Sequence, residues 1–188
     1  MDTRSLNKTL PSIGDIKRIK ASNFFNIEQL DLTFSNGHKA TYERLYGGNG
    51  AVLAVPFDGR DFYLISEYSC GTHSYELGFV KGKVDKGETS EHAVSRELQE
   101  EIGYKSNKIT LLKKHMTVAP GMMSLLMDVY LCEELEPHKL DGDEPEPIEI
   151  VKVGIDEVYD LIFSNTTPLR EARSIAALVM AMHQLRAI

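Results

Sequence analysis

The chain has 188 residues, 42% hydrophobic and 26% charged, with a formal net charge of −7. That apolar share is enough for one domain with its own core, while the acidic balance argues against a broad nucleic-acid surface. Apolar runs such as 50–56 are far shorter than the ~20 residues a membrane span needs, and residues 1–20 hold no continuous apolar stretch of a secretory signal. Cys70 and Cys132 show no metal or redox spacing. They read as buried small hydrophobes in a reduced, cytosolic compartment.

Residues 1–23 read as an N-terminal arm, in which Lys17, Arg18 and Lys20 form a solvated basic cluster. Residues 25–34 carry Ile27, Leu30, Leu32 and Phe34 in an approximately alternating pattern. Ser35-Asn36-Gly37 is a turn, and 38–46 returns as the second strand of a hairpin. Such a hairpin is marginally stable alone and has to pack on something. Residues 51–56 and 61–66 are expected to form a second pair around Phe57-Asp58-Gly59-Arg60, followed by short strands at 74–79, 109–116, 124–132 and 149–153. Helices are expected at 88–102, 155–164 and 171–186, the last with Ile175, Leu178, Val179, Met182 and Leu185 facing the core. None of the six histidines has metal-ligand spacing; His73, His92 and His115 read as surface or strand residues. Strands interleaved with three helices predict an α/β chain with a sheet between helical layers.

The chemistry is concentrated in 82–104, GKVDKGETSEHAVSRELQEEIGY. Thr89 or Ser90 can cap the helix, Ala93, Val94, Leu98 and Ile102 give it an apolar stripe, and Gly103 can stop it. Glu97 and Glu101 then share a face one turn apart, with Glu100 within about 60° of Glu97. Crowded carboxylates repel, and a divalent cation neutralises them. Oxygen ligands, with no Cys or His nearby at ligand spacing, favour Mg²⁺ or Mn²⁺. Arg96 can orient one of these carboxylates through a charge-assisted bond.

Gly82, Glu88, Arg96, Glu97, Glu100, Glu101 and Gly103 together resemble the Nudix box, the signature of hydrolases that split a nucleoside diphosphate linked to another moiety. Only Tyr104 departs, where an aliphatic residue is usual. The resemblance implies a Nudix-type α/β/α sandwich with a mixed central sheet and an N-terminal β-hairpin extension, the domain covering 24–188. It implies metal ligands at Glu97, Glu100, Glu101 and the backbone carbonyl of Lys81, motif glycines at Gly82 and Gly103, and catalytic parts for Glu100 and Arg96. In the similar ADP-ribose pyrophosphatase branch the N-terminal strand pair is exchanged between subunits. A homodimer with 24–46 at the interface is therefore expected, with packing inside one subunit as the alternative.

Specificity lies outside the box. Pro120 stands sixteen residues after Tyr104, about where the branch carries a proline, and also reads simply as a turn residue. The acidic segment 140–149, LDGDEPEPIE, resembles the loop from which that branch supplies a catalytic base. By position Glu144 is the base and Glu146 a further metal ligand, although either also fits a solvated acidic loop. YELGFVKG before the box and DGDEPEP after it are close to the ADP-compounds hydrolases of the branch. These release AMP from ADP-ribose, diadenosine polyphosphates and NADH. Five residues, Leu77 to Lys81, separate Glu76 from Gly82 where the branch has a shorter connection, and Ser69 stands where an arginine is common. Glu76 and Arg44 are the expected substrate contacts, Arg44 reading equally as a surface charge. Three readings stay open: a hydrolase of ADP-linked compounds, a Nudix hydrolase of another substrate such as a nucleotide sugar or coenzyme A, and a non-catalytic nucleotide-binding module. All take a small nucleotide as partner, without nucleic acid or membrane.

Overall fold

The computed structural model describes residues 8–142 and 145–186. The chain divides into two compact units, one holding the residues up to Gly48 with Ala119–Leu125, the other Asn49–Val118 with the residues from Leu126 onward.

In the first unit, β1 (Ser12–Lys20), β2 (Asn26–Thr33) and β3 (Lys39–Leu45) form an antiparallel sheet in that order. The expected hairpin is β2–β3, closed by Gly37 at φ 83°, where Gly37 N–H donates to the Phe34 carbonyl at 2.8 Å. The arm turns out to supply a third strand. Lys17 and Lys20 are exposed as expected, but Arg18 is not merely solvated, because the register sets Arg18 and Arg44 on either side of Glu28. Glu28 is 2% exposed, and its carboxylate accepts from Arg18 Nε at 2.8 Å and from Arg44 Nε at 2.9 Å. The Arg18 guanidinium also lies 4.4 Å over the Tyr46 ring. Ile13, Ile16 and Ile19 recur every three residues, across a register shift between Ile13 and Ile16, so the strand lacks the alternation that marks its neighbours. The segment 119–125 joins this unit through Leu45 N–H to the Met122 carbonyl, 2.8 Å, and Ser124 N–H to the Leu45 carbonyl, 3.0 Å.

The second unit holds two sheets. One is mixed, in the order β7 (Lys81–Lys83), β4 (Ala51–Pro56), β9 (Leu126–Pro137), β8 (Tyr104–Thr117), with β4 and β9 parallel. The other is antiparallel, β10 (Glu149–Gly154), β5 (Asp61–Ser69), β6 (Ser74–Gly78). Every residue of β4 is buried, as expected of a central strand covered on both faces. Helix α1 (Ser90–Ile102) lays Ala93, Val94, Leu98 and Ile102 against Val52 and Ala54 of β4, Tyr130 and Cys132 of β9, and Tyr63 and Ile65 of β5. The strand period of two turns Leu53, Val55, Val129 and Leu131 to the other face. Helix α3 (Ala172–Gln184) also packs on β4 and β8, burying Ser174, Ala177, Leu178, Ala181 and Met182. This is the expected sandwich.

Several expectations shift. Strands β4 and β5 do not pair as a hairpin: beyond a single bridge between Phe57 and Phe62 they lie in different sheets, because β7 and β9 occupy both edges of β4. The buried stripe of α3 is rotated, so Ile175, Val179 and Leu185 are only half-buried beside the alanines that allow close packing. Cys132 is buried, which pushes its thiol up to about 12, but Cys70 is exposed. Helix α2 (Val158–Phe163) is short and buries only Val158. Among the described residues no helix is long and apolar enough to cross a membrane.

The Glu28 ladder has a pH signature. Arg18, and after it Arg44, hold the Glu28 carboxyl below its usual range against the cost of burial. Folding therefore favours the ionised form, and this stability is complete above the unfolded carboxyl's pKa and lost as pH falls through the lower folded value. In thermal melts across pH, wild type should outlast Glu28→Gln near neutrality. The gap should narrow below about pH 4.5; a gap constant down to strongly acidic pH would contradict this account.

Candidate active site

Helix α1 forms where the capping signals predict. The Thr89 side chain accepts from His92 N–H at 3.2 Å, and Gly103 ends the helix at φ 73°, its N–H donating to the Leu98 carbonyl. The left-handed cap needs glycine. Beyond it the ammonium of Lys139 reaches the carbonyl of Glu100, and Leu140 N–H donates to the Gln99 carbonyl at 3.2 Å. A cation at these last carbonyls complements the helix dipole. It also ties the start of the acidic loop to the helix that carries the box.

On that helix Arg96 binds three carboxylates and one carbonyl. Its Nε and one terminal nitrogen donate to the two Glu88 oxygens, each at 3.1 Å. The other terminal nitrogen donates to Glu97 at 2.7 Å and Glu100 at 2.8 Å. A further bond, 3.0 Å, goes to the Lys83 carbonyl of β7. Glu88 is held below the usual carboxylate range chiefly by Arg96, and the guanidinium is raised above its own ordinary value, most of all by Glu88. Arg96 thus joins loop, helix and strand, a larger part than orienting a single carboxylate.

Gly82 is required sterically. A β-carbon there would overlap the Glu97 carboxylate, so the side chain lies directly on the β7 backbone. Next to it, Lys81 sends its side chain inward, where its ammonium donates to the Phe79 carbonyl at 2.5 Å. Burial lowers its pKa, opposed by the negative charges of Glu171, Glu67 and Glu101. Glu101 itself is buried, 8% exposed. Tyr104 stands edge-on to Tyr63, ring centres 5.3 Å apart, which explains an aromatic residue where an aliphatic one is usual.

The donors fit a hard divalent cation. Carboxylates of Glu97, Glu100 and Glu101 lie within two helical turns, and the Gly82 cradle brings the β7 backbone against the first of them. Among the described residues no group of three His, Cys, Asp or Glu side chains is already arranged around one point, since Glu97 and Glu100 turn an oxygen each to Arg96.

The remaining expected site residues fall in different places. Glu76 accepts from Ser74 Oγ at 2.8 Å and from Arg170 at 2.7 Å, a cation the sequence reading did not anticipate. Glu146 accepts from Tyr75 Oη at 2.5 Å. Glu144 lies outside the described residues. Arg44 is engaged by Glu28 in the first unit, as described above. Pro120 occupies a turn closed by Met122 and Met123 N–H on the Ala119 carbonyl, both 2.9 Å.

The fold and the family can be compared with known proteins. Residues 11–44 match the NudE-type Nudix hydrolase N-terminal domain and residues 49–172 match the NUDIX domain. The two matches meet where the first unit's N-terminal part ends at Gly48, although Ala119–Leu125 of that unit lies inside the NUDIX match. The chain belongs to the Nudix hydrolase family, enzymes that act on pyrophosphate bonds and generally use a divalent metal. It is 40% identical over 185 residues, 98% of this chain and 97% of the relative, to the ADP compounds hydrolase NudE of Escherichia coli. It is 31% identical over 138 residues, covering 72% and 74%, to an ADP-ribose pyrophosphatase of Bacillus subtilis. A crystal structure of an ADP compounds hydrolase superposes with a TM-score of 0.86 at 38% identity, covering 96% of this chain and 97% of that one. The NudE-type match begins at residue 11, inside the segment 1–23 that reads as an arm.

Gly82→Ala separates folding from chemistry. The new methyl meets the far end of a flexible side chain rather than backbone, so Glu97 can swing aside and stability should change by no more than about 1 kcal/mol. Displacing a carboxylate by about 1 Å should lower kcat about 100-fold. Thermal melts together with initial rates check both halves.

Proposed function

We propose that this chain hydrolyses the pyrophosphate of ADP-linked compounds, among them ADP-ribose, diadenosine polyphosphates and NADH, and releases AMP. The substrate class is supported by the likeness to the E. coli ADP compounds hydrolase over nearly the whole of both chains. The chemistry is supported above all by the Arg96 network, which gathers Glu88, Glu97 and Glu100 beside the Gly82 backbone. Glu97, Glu100 and Glu101, with the Lys81 carbonyl, are the residues we assign to hold Mg²⁺ or Mn²⁺, and Glu146 is a further ligand from the acidic loop. When bound, such an ion offsets phosphate charge and lowers the pKa of a coordinated water.

Within the protein, Arg96 orients its carboxylates and holds Glu88 ionised, and Glu144 is assigned as the base that takes the proton from the attacking water. Arg44 and Glu76 are retained as substrate contacts, both already held by ion pairs that fix their direction. Ser69, in place of an arginine common in the ADP-ribose pyrophosphatase branch, favours the broad ADP-compound class over strict ADP-ribose recognition. Two copies of the chain are proposed to associate through the β1–β3 sheet, on which Ile13, Ile16 and Tyr42 are about half exposed. The setting is a reducing, cytoplasmic one, in keeping with two free cysteines.

Chromatography of products decides the substrate. AMP from ADP-ribose, diadenosine triphosphate or NADH supports the proposal, and inertness toward all three overturns it. Glu97→Gln and Glu101→Gln should each lower kcat/KM more than about 100-fold, since even groups that only support metal ligands cost 10–100-fold. Their circular dichroism should stay that of wild type. Unchanged rates would remove the metal assignment.

Stripping divalent ions with a chelator should abolish turnover, and added Mg²⁺ or Mn²⁺ should restore it. Activity that persists through exhaustive chelation would contradict a metal-dependent reaction.

A further inference from the structure

Strands β5 and β6 meet in a hairpin whose register places Tyr68 directly opposite Tyr75. The two rings stand 6.0 Å apart at 67°. In the turn between them His73 has φ 50°, a left-handed backbone that histidine adopts more readily than most residues. That turn brings the imidazole edge-on to Tyr68, 5.9 Å away at 89°, with Tyr68 Oη and His73 Nδ1 3.0 Å apart. Tyr75 is tied in turn by its hydroxyl to Glu146 at 2.5 Å. Tyr68 remains 47% exposed and Tyr75 59% exposed.

A cross-strand tyrosine pair usually serves the sheet itself. Here the hydroxyls are held while much of each ring stays uncovered, so orientation is fixed without burial. Glu146 lies on the acidic loop, which connects this platform to the segment assigned to catalysis. The rim is polar as well: a carboxylate that accepts and an imidazole that accepts or donates match the amino edge of a flat heterocycle.

We propose that Tyr68 and Tyr75, with His73, form a stacking seat for a second aromatic heterocycle of the substrate, the one carried beyond the pyrophosphate from the departing AMP. This rests on the pyrophosphatase reading and adds a specificity site to it. ADP-ribose has no second heterocycle and does not use the seat. A diadenosine polyphosphate does.

The test uses the full-length protein with Mg²⁺ and compares kcat/KM for diadenosine triphosphate and ADP-ribose. Tyr68→Ala should lower the former about 10-fold or more, the scale of one base–aromatic stack, and leave the latter within twofold. Tyr68→Phe keeps the face and should retain wild-type discrimination. Tyr68→Leu keeps bulk without a π-face and should behave like the alanine variant, so it substitutes for alanine if that protein does not fold. Equal losses on both substrates, no loss on the dinucleotide, or a phenylalanine variant as impaired as the alanine one would each overturn the seat. If wild type cleaves neither substrate, the pyrophosphatase reading fails separately. The seat is then judged by calorimetric binding of diadenosine triphosphate to wild type and Tyr68→Leu, where equal affinities overturn it and about 10-fold weaker binding by the variant supports it.

Discussion

The site depends on one guanidinium. Three carboxylates brought together by a helix and a loop repel one another, and each added negative charge raises the cost of keeping the others ionised. Arg96 offsets that with five donors in a planar fork, four of its contacts going to carboxylate oxygens of Glu88, Glu97 and Glu100 and one to the Lys83 carbonyl. Lysine, a point charge on a flexible stem, cannot span a loop, two helical positions and a strand with fixed directions. Because Glu97 also rests on the Gly82 backbone, the guanidinium and that backbone together set the location of that carboxylate. A single exposed ion pair contributes little to stability. A part-buried network of this kind acts through geometry.

Beneath that network lies a second charged cluster. The Lys81 ammonium donates to the Phe79 carbonyl and faces the charges of Glu171, Glu67 and Glu101. Glu171 caps α3, accepting from Arg173 and Ser174 N–H, and Ser174 Oγ accepts from Phe79 N–H at 3.1 Å. Burial works against the charged Glu171, yet bonds from Arg173 and Ser174 leave it below the ordinary carboxylate range. A buried lysine is tolerable when paired and intolerable when stripped of its partners. The longer Glu76–Gly82 connection thus has a structural counterpart: Phe79 and Lys81 plug the turn into the N-terminus of α3 and hold the β7 backbone from behind.

Local signals made α1 and its box legible from the chain alone. Thr89, the four-residue apolar stripe and Gly103 all act within one helix, and short-range physics places them. The strands were legible for the same reason, by alternation or by a continuous apolar run, yet their partners were not. Residues 51–56 carry no mark that β9 lies beside them in parallel, because the pairing depends on which edges other segments leave free. Strand β1 was hidden because its isoleucines recur every third residue instead of alternating. Three residues were too few to announce β7. Within the site, sequence distance decided the outcome: Arg170 meets Glu76 across 94 positions and Tyr75 meets Glu146 across 71, and no window of residues holds both ends of either contact.

Those long-range contacts also explain why a shared box supports different substrates. Most residues assigned to the bond lie between Lys81 and Gly103, on or beside a helix that repeats its geometry faithfully, and Glu144 and Glu146 are assigned to join them from the acidic loop. The groups proposed to read what hangs from the bond come from a hairpin and a loop: the β5–β6 strands with Glu76, and the residues before α3 with Arg170. These connect to the box at few points, chiefly Lys139 on the last turn of α1 and Lys81 behind β7. A loop pinned at few points tolerates substitution without disturbing the fold that carries it. Specificity can therefore change while the Arg96 network stays as it is, and that division follows from where the rigid and the loosely tethered backbone lie.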